Sequence, residues 1–199
     1  MRPAIAPIVE GRAEVESVPV LLRRILAEVA KVHDASIARP FLVPRNRIVR
    51  AGELERALVQ VVRDRAGVGA ILVILDADDD PPGDLAEALL RRAQKETRLP
   101  TLVAVANREF EAWFLGAKES LRGVRGIRDD AVAPPNPEGI RGAKECLARN
   151  MRNRRYLEVD DQAALASRMD ISLARRRCPS FDRLVEGLLH LVASVERTG

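Results

Sequence analysis

The sequence predicts an α/β fold: a mostly parallel four-stranded sheet with helices on both faces, plus a C-terminal helical extension. Three observations predict it. Short apolar, β-branched runs alternate with amphipathic helical patterns over residues 1–120. The longest run, Ala70 through Leu75, is apolar at every position, as a strand buried on both faces must be. Beyond about residue 120 the pattern is helical only. The domain reading is therefore a core over 1–120 and a basic helical extension over 121–199 packed on it.

The elements follow in order. Ala4 to Val9 is a short apolar strand, and Gly11 permits the sharp turn after it. Ser17 reads as an N-cap with Pro19 in the first turn of a helix, whose Val18, Leu21, Leu22, Ile25 and Val29 keep helical spacing. Residues 41–43 form a second strand. Gly52 opens a helix with Leu54, Leu58, Val61 and Val62 on one face. The strand over 70–75 runs into Asp76, Asp78, Asp79 and Asp80 and is stopped by Pro81-Pro82-Gly83. Asp84 and Glu87 then have the spacing of a capping box for a helix to about Thr97. A fourth strand covers 101–106, and Asn107 reads as the N-cap of a helix over 108–115. Farther on, helices are expected over about 136–151 and 160–169, with Ser180 capping a last one.

Composition bounds the function. The chain has 199 residues, 47% hydrophobic and 31% charged, a globular composition. Its longest apolar runs fall well short of the ~20 residues a membrane span needs. Residues 1–5 lack the apolar core and cleavage site of a leader, so the expected location is cytoplasmic, with no membrane partner. Cys146 and Cys178 have no metal-ligand spacing and read as reduced structural thiols. The net charge is +4, and Lys31, Lys95, Lys118 and Lys144 are the only lysines. Arginines concentrate in the last third while the carboxylate clusters lie before it. An acidic site flanked by a basic surface suits a metal-dependent enzyme acting on a polyanion.

The carboxylates carry the chemistry. Glu10 and Glu14 lie just past the first strand, Asp76 and Asp78 just past the third. Neighbouring parallel strands would bring Glu10 close to both aspartates, at the carboxyl ends where α/β sheets bind ligands. Such oxygen donors suit Mg²⁺ or Mn²⁺. A calcium EF-hand register over Asp76, Asp78, Asp80 and Glu87 fails, because its sixth position needs a positive φ that Pro81 cannot adopt. A phospho-accepting receiver is excluded by the lack of its Ser/Thr and Lys near residues 104–107. His33 and His190 have no nucleophile motif beside them, and no phosphate-binding Gly-rich loop is present. Tyr156, the only tyrosine, is weak evidence for a nucleophile.

Ile8 through Glu14, with its Glu10-Gly11, and Val73 through Asp78, with its Asp76-Ala77-Asp78, resemble the TOPRIM signature of topoisomerases, primases and OLD nucleases. Glu109 through Leu115, together with the stretch from Ser167 to Asp182, resembles the bacterial domain-of-unknown-function family 4276, related to the RloB proteins. The resemblance implies Glu10 as general acid/base and metal ligand, Asp76 and Asp78 as metal ligands, and Glu111 as a further catalytic acid. Glu14, Asp80 and Glu109 are additional acidic candidates. Arg12, Arg152, Arg154 and Arg155 are candidate nucleic-acid contacts. The implied activity is a metal-dependent phosphodiester hydrolase, a nuclease, in phage defence or genome maintenance beside a separate ATPase. The alternative is a non-catalytic adaptor binding nucleic acid or a partner ATPase.

Overall fold

A computed structural model describes residues 4–64 and 67–198. Residues 1–3 of the stretch read for a leader lie outside them. Four strands, β1 (Ala4–Val9), β2 (Phe41–Leu42), β3 (Val68–Asp76) and β4 (Thr101–Ala106), form one sheet in the order β2-β1-β3-β4, every pair parallel. The predicted four-stranded α/β fold is therefore present. None of the described helices is long and apolar enough to cross a membrane.

The two-residue period of the strands divides the core. Ile5, Val9, Leu72, Ile74, Ala104 and Ala106 face one side. There they meet α1 (Arg12–Glu28), α5 (Glu111–Gly116), α7 (Glu158–Ala166) and α9 (Pro179–Thr198). Ala6, Ile8, Ile71, Val73, Val103 and Val105 face the other, against α3 (Glu53–Asp64) and α4 (Pro82–Glu96), with Ile48 of α2 (Arg45–Ile48). The helices after residue 121 thus share one apolar cluster with the sheet. α9 lies over β4 closely enough that a Cβ on Gly187 would collide with Leu102.

Several local expectations are corrected. α1 begins at Arg12, five residues before Ser17, because Gly11 turns the chain straight out of β1. Ser17 is therefore inside the helix and buried, and Pro19 occupies its interior. α4 begins at Pro82 with no side-chain cap, so Asp84 falls in the first turn, and Glu87 pairs with Arg91 one turn on. Val62 on α3 is exposed, and Ala57 takes the buried position. α5 starts at Glu111, and Asn107 instead bonds Glu138. The expected helix over 136–151 is a 3₁₀ turn at Pro137–Gly139, then α6 (Ala143–Arg149). Gly142, at φ 69°, separates the two. An unanticipated α8 (Ile171–Arg177) is capped by Asp170, whose Oδ1 accepts from the Leu173 amide at 2.8 Å. Ser180 lies inside the first turn of α9, where its hydroxyl donates to Glu138 and accepts from Trp113 Nε1.

Candidate functional site: a buried acid cluster at the strand ends

β1 and β3 are adjacent, with Val9 opposite Ile74, so Glu10 and Asp76 leave the sheet side by side. The Asp76 amide donates to Glu10 Oε1 at 3.1 Å. Asp76 Oδ1 accepts from the Phe110 amide at 2.8 Å, which ties the end of β3 to the start of α5. Two further carboxylates join them. Glu14 comes from the first turn of α1 and Glu111 from the first residue of α5; they are 8% and 0% exposed. Gly11 makes room for Glu14, since a Cβ there would collide with Glu14 Oε2.

The hydrogen bonding of the three glutamates shares one pattern. Glu10 Oε1 is held by the Asp76 amide. Glu111 Oε1 accepts from Tyr156 Oη at 2.9 Å and from Gln162 Nε2 at 3.2 Å. Glu14 Oε1 accepts from Gln162 Nε2 at 3.3 Å. In all three, Oε2 is buried without a hydrogen-bond partner. A buried carboxylate oxygen left bare costs free energy on the order of 1–3 kcal/mol or more, so three together require an explanation.

Electrostatics agree. Burial pushes the Glu10 carboxyl up to about 7; Glu14 and Asp78 add to the rise, while the Asp76 amide and Arg45 oppose it. Burial, then repulsion from Glu10 and Glu111, holds Asp76 well above the usual carboxylate range. Burial also raises Glu111 to about 7 against the pull of Lys144, Tyr156 and Gln162. Burial works against the Lys144 charge, but Glu111, Glu158 and Asp76 outweigh it and raise its pKa. Its ammonium pairs with Glu158 at 3.1 Å. Burial and the neighbouring Glu111 raise the Tyr156 hydroxyl, so it stays a neutral donor.

The remaining candidates sit elsewhere. Asp78, Asp79 and Asp80 form an exposed turn in which Asp78 takes a left-handed φ of 51°. Arg45 clasps that turn. Its guanidinium donates to the carbonyls of Asp76 and Ala77 and pairs with Asp78 at 3.1 Å and Asp80 at 2.5 Å. Asp79 pairs with Arg108 and Arg141. Glu109 accepts from the Ala143 and Lys144 amides at the start of α6 and so anchors that helix. Arg12 is exposed at the head of α1. Arg152, Arg154 and Arg155 are exposed on the segment leading to Tyr156, and Arg152 is paired with Asp129. His33 and His190 are exposed.

The donor chemistry of Glu10, Glu14, Asp76 and Glu111, all hard oxygens with three bare atoms, fits a hard divalent cation. Among the described residues, no group of three or more His, Cys, Asp or Glu side chains is already spaced to hold one.

Lys144, Tyr156 and Gln162 escaped the sequence reading as parts of this site, as did Arg45. They lie far from the acidic motifs in the chain and belong to no recognisable pattern of their own. One signal was available for Gln162: it occupies the buried stripe of α7 beside Leu165 and Ala166, where an amide has to find partners.

The model of the family DUF4276, a domain of unknown function, matches residues 9–189. The chain belongs to this family. The DUF4276 match thus runs from the last residue of β1 into α9 and includes every residue of the acid cluster. No curated protein matches the sequence. Among solved structures, the chain is similar to the C-terminal region of the OLD protein of Xanthomonas campestris pv. campestris. The two share 15% identity, 97% of each chain is covered, and the TM-score is 0.47.

Proposed function

We propose that this DUF4276 protein is a divalent-metal-dependent phosphodiester hydrolase acting on nucleic acid, built on a TOPRIM-like core. The observation that carries the reading is the set of three glutamates that each tie down Oε1 and leave a buried Oε2 bare. Glu10, Glu14, Asp76 and Glu111 would hold Mg²⁺ or Mn²⁺, with Asp78 at the rim. The bound metal would polarise a phosphoryl oxygen and activate a water.

The chain's own residues do the rest. In the metal-free protein Glu10, with its pKa near 7, can hold or release a proton at neutral pH. Lys144 keeps its charge beside Asp76 and Glu111 and offsets part of their repulsion. Arg12 and the exposed Arg152, Arg154 and Arg155 offer positive charge to a phosphate backbone. Cleavage of DNA and RNA in the presence of Mn²⁺ tests the reading. We expect cleavage by the wild type, its abolition by a chelator, and its loss in Asp76→Ala. Cleavage indifferent to either treatment would sink the assignment.

A second reading, a non-catalytic adaptor that binds nucleic acid or a partner ATPase, is favoured by the lack of a ready-spaced ligand set among the described residues. Calorimetric titration with Mn²⁺ separates the two, since the adaptor requires no binding.

A further inference from the structure

Gln162 reaches the acid cluster from α7, 51 residues beyond Glu111 in the chain, and it is fully buried. The orientation of its amide follows from its partners. Ser17 Oγ donates to Gln162 Oε1 at 2.5 Å, and that hydroxyl is itself fully buried. Gln162 Nε2 therefore points its two hydrogens at Glu14 Oε1 (3.3 Å) and Glu111 Oε1 (3.2 Å). The flipped amide would set its carbonyl oxygen against two carboxylates and its NH₂ against the hydroxyl, so the chemistry permits one orientation.

One amide thus bridges carboxylates carried by two different helices, α1 and α5, and occupies one oxygen of each. Their Oε2 atoms are left bare inside the cluster. An apolar side chain of equal size would fill the space without arranging the carboxylates. We propose that Gln162, locked by Ser17, is the positioning residue of the cation site: it fixes Glu14 and Glu111 with Oε2 free for a divalent metal. This rests on the metal reading above. Ligand-orienting partners of this kind typically change metal affinity by about 10–100-fold when removed.

The test is Mn²⁺ calorimetry on the full chain for wild type, Gln162→Met, Ser17→Ala and the double variant, with melting of each in chelator. Gln162→Met is expected to weaken Mn²⁺ binding by roughly 10-fold or more, and Ser17→Ala by a smaller factor. The double variant should bind no more weakly than Gln162→Met, because a lock with nothing to hold adds nothing. A role in packing alone would lower the melting temperature in chelator and leave the affinity of the folded protein unchanged. Wild-type affinity in folded Gln162→Met, or losses that add in the double variant, would overturn the proposal. Should Gln162→Met fail to fold, wild-type affinity in Ser17→Ala overturns it instead. No Mn²⁺ binding by the wild type removes the metal reading itself, whereas wild-type binding that survives both single substitutions removes only the role of Gln162.

Discussion

Two acidic regions of the molecule have opposite physical characters. The turn at Asp78, Asp79 and Asp80 is the denser cluster in sequence, yet it is exposed and each aspartate is paired with an arginine. Hydrogen bonding from Arg141 holds Asp79 below the usual carboxylate range. Glu10, Glu14 and Glu111 are spread over a hundred residues of sequence, yet they are gathered in the interior, and burial lifts Glu10 and Glu111 to about 7. The difference teaches that charge density along the chain does not locate unrelieved repulsion. Solvent exposure and arginine relieve it at the turn; in the cluster three oxygens are buried without a hydrogen-bond partner.

The sharpest way to break this comparison is to neutralise one deep carboxylate. Glu111→Gln can keep the acceptor contacts of Tyr156 and Gln162 while removing a charge. We expect Mn²⁺ binding to fall below detection and the metal-free protein to become more stable at pH 8, measured by calorimetry and thermal melting. The pH dependence carries the same sign. Glu111 titrates near 7 when folded and near 4.5 otherwise, so its contribution is fully present below about pH 4.5 and is lost as pH rises through 7. Roughly 3 kcal/mol separates the two limits, and Glu10 adds in the same direction. Carboxylates with lowered values, such as Glu55 at about 2, act below that window. Melting in chelator between pH 4.5 and 8 should therefore show falling stability, and a shallower fall in Glu111→Gln, where Glu10 still titrates.

A smaller effect is expected from Gly11→Ala. At φ −122° the backbone accepts alanine, but its Cβ would displace Glu14 Oε2. Mn²⁺ affinity should weaken severalfold while the fold survives; unchanged affinity would remove Glu14 from the site. The smallest effect belongs to the turn. Asp79→Asn breaks exposed ion pairs, which solvent screens, and should leave the melting temperature nearly unchanged, with Mn²⁺ binding intact.

Much of the architecture could be read from the residues, because strands and helices follow local periodicity. The apolar run over 70–75 and the Gly11 turn were enough to set Glu10 beside Asp76. Helix starts were read less well. Ser17 has the chemistry of a cap, but tertiary packing uses its hydroxyl for Gln162, and α1 starts at the turn that sequence placed correctly. The C-terminal half of the site was hidden for a different reason. Lys144, Tyr156 and Gln162 take their roles from where α6 and α7 dock, and docking is set by the whole apolar surface rather than by any motif.

The bond between Ser17 and Gln162 joins residues 145 apart in the chain. A ribosome adding about 5–20 residues per second needs on the order of ten seconds or more to cover that interval. Through that time Glu10 and Glu14 already exist in the chain, while the amide that bonds Glu14 has not been made. The proposed cation site would therefore be completed late in synthesis. Metal binding at full affinity, on the proposed reading, would then wait until α7 has emerged and docked.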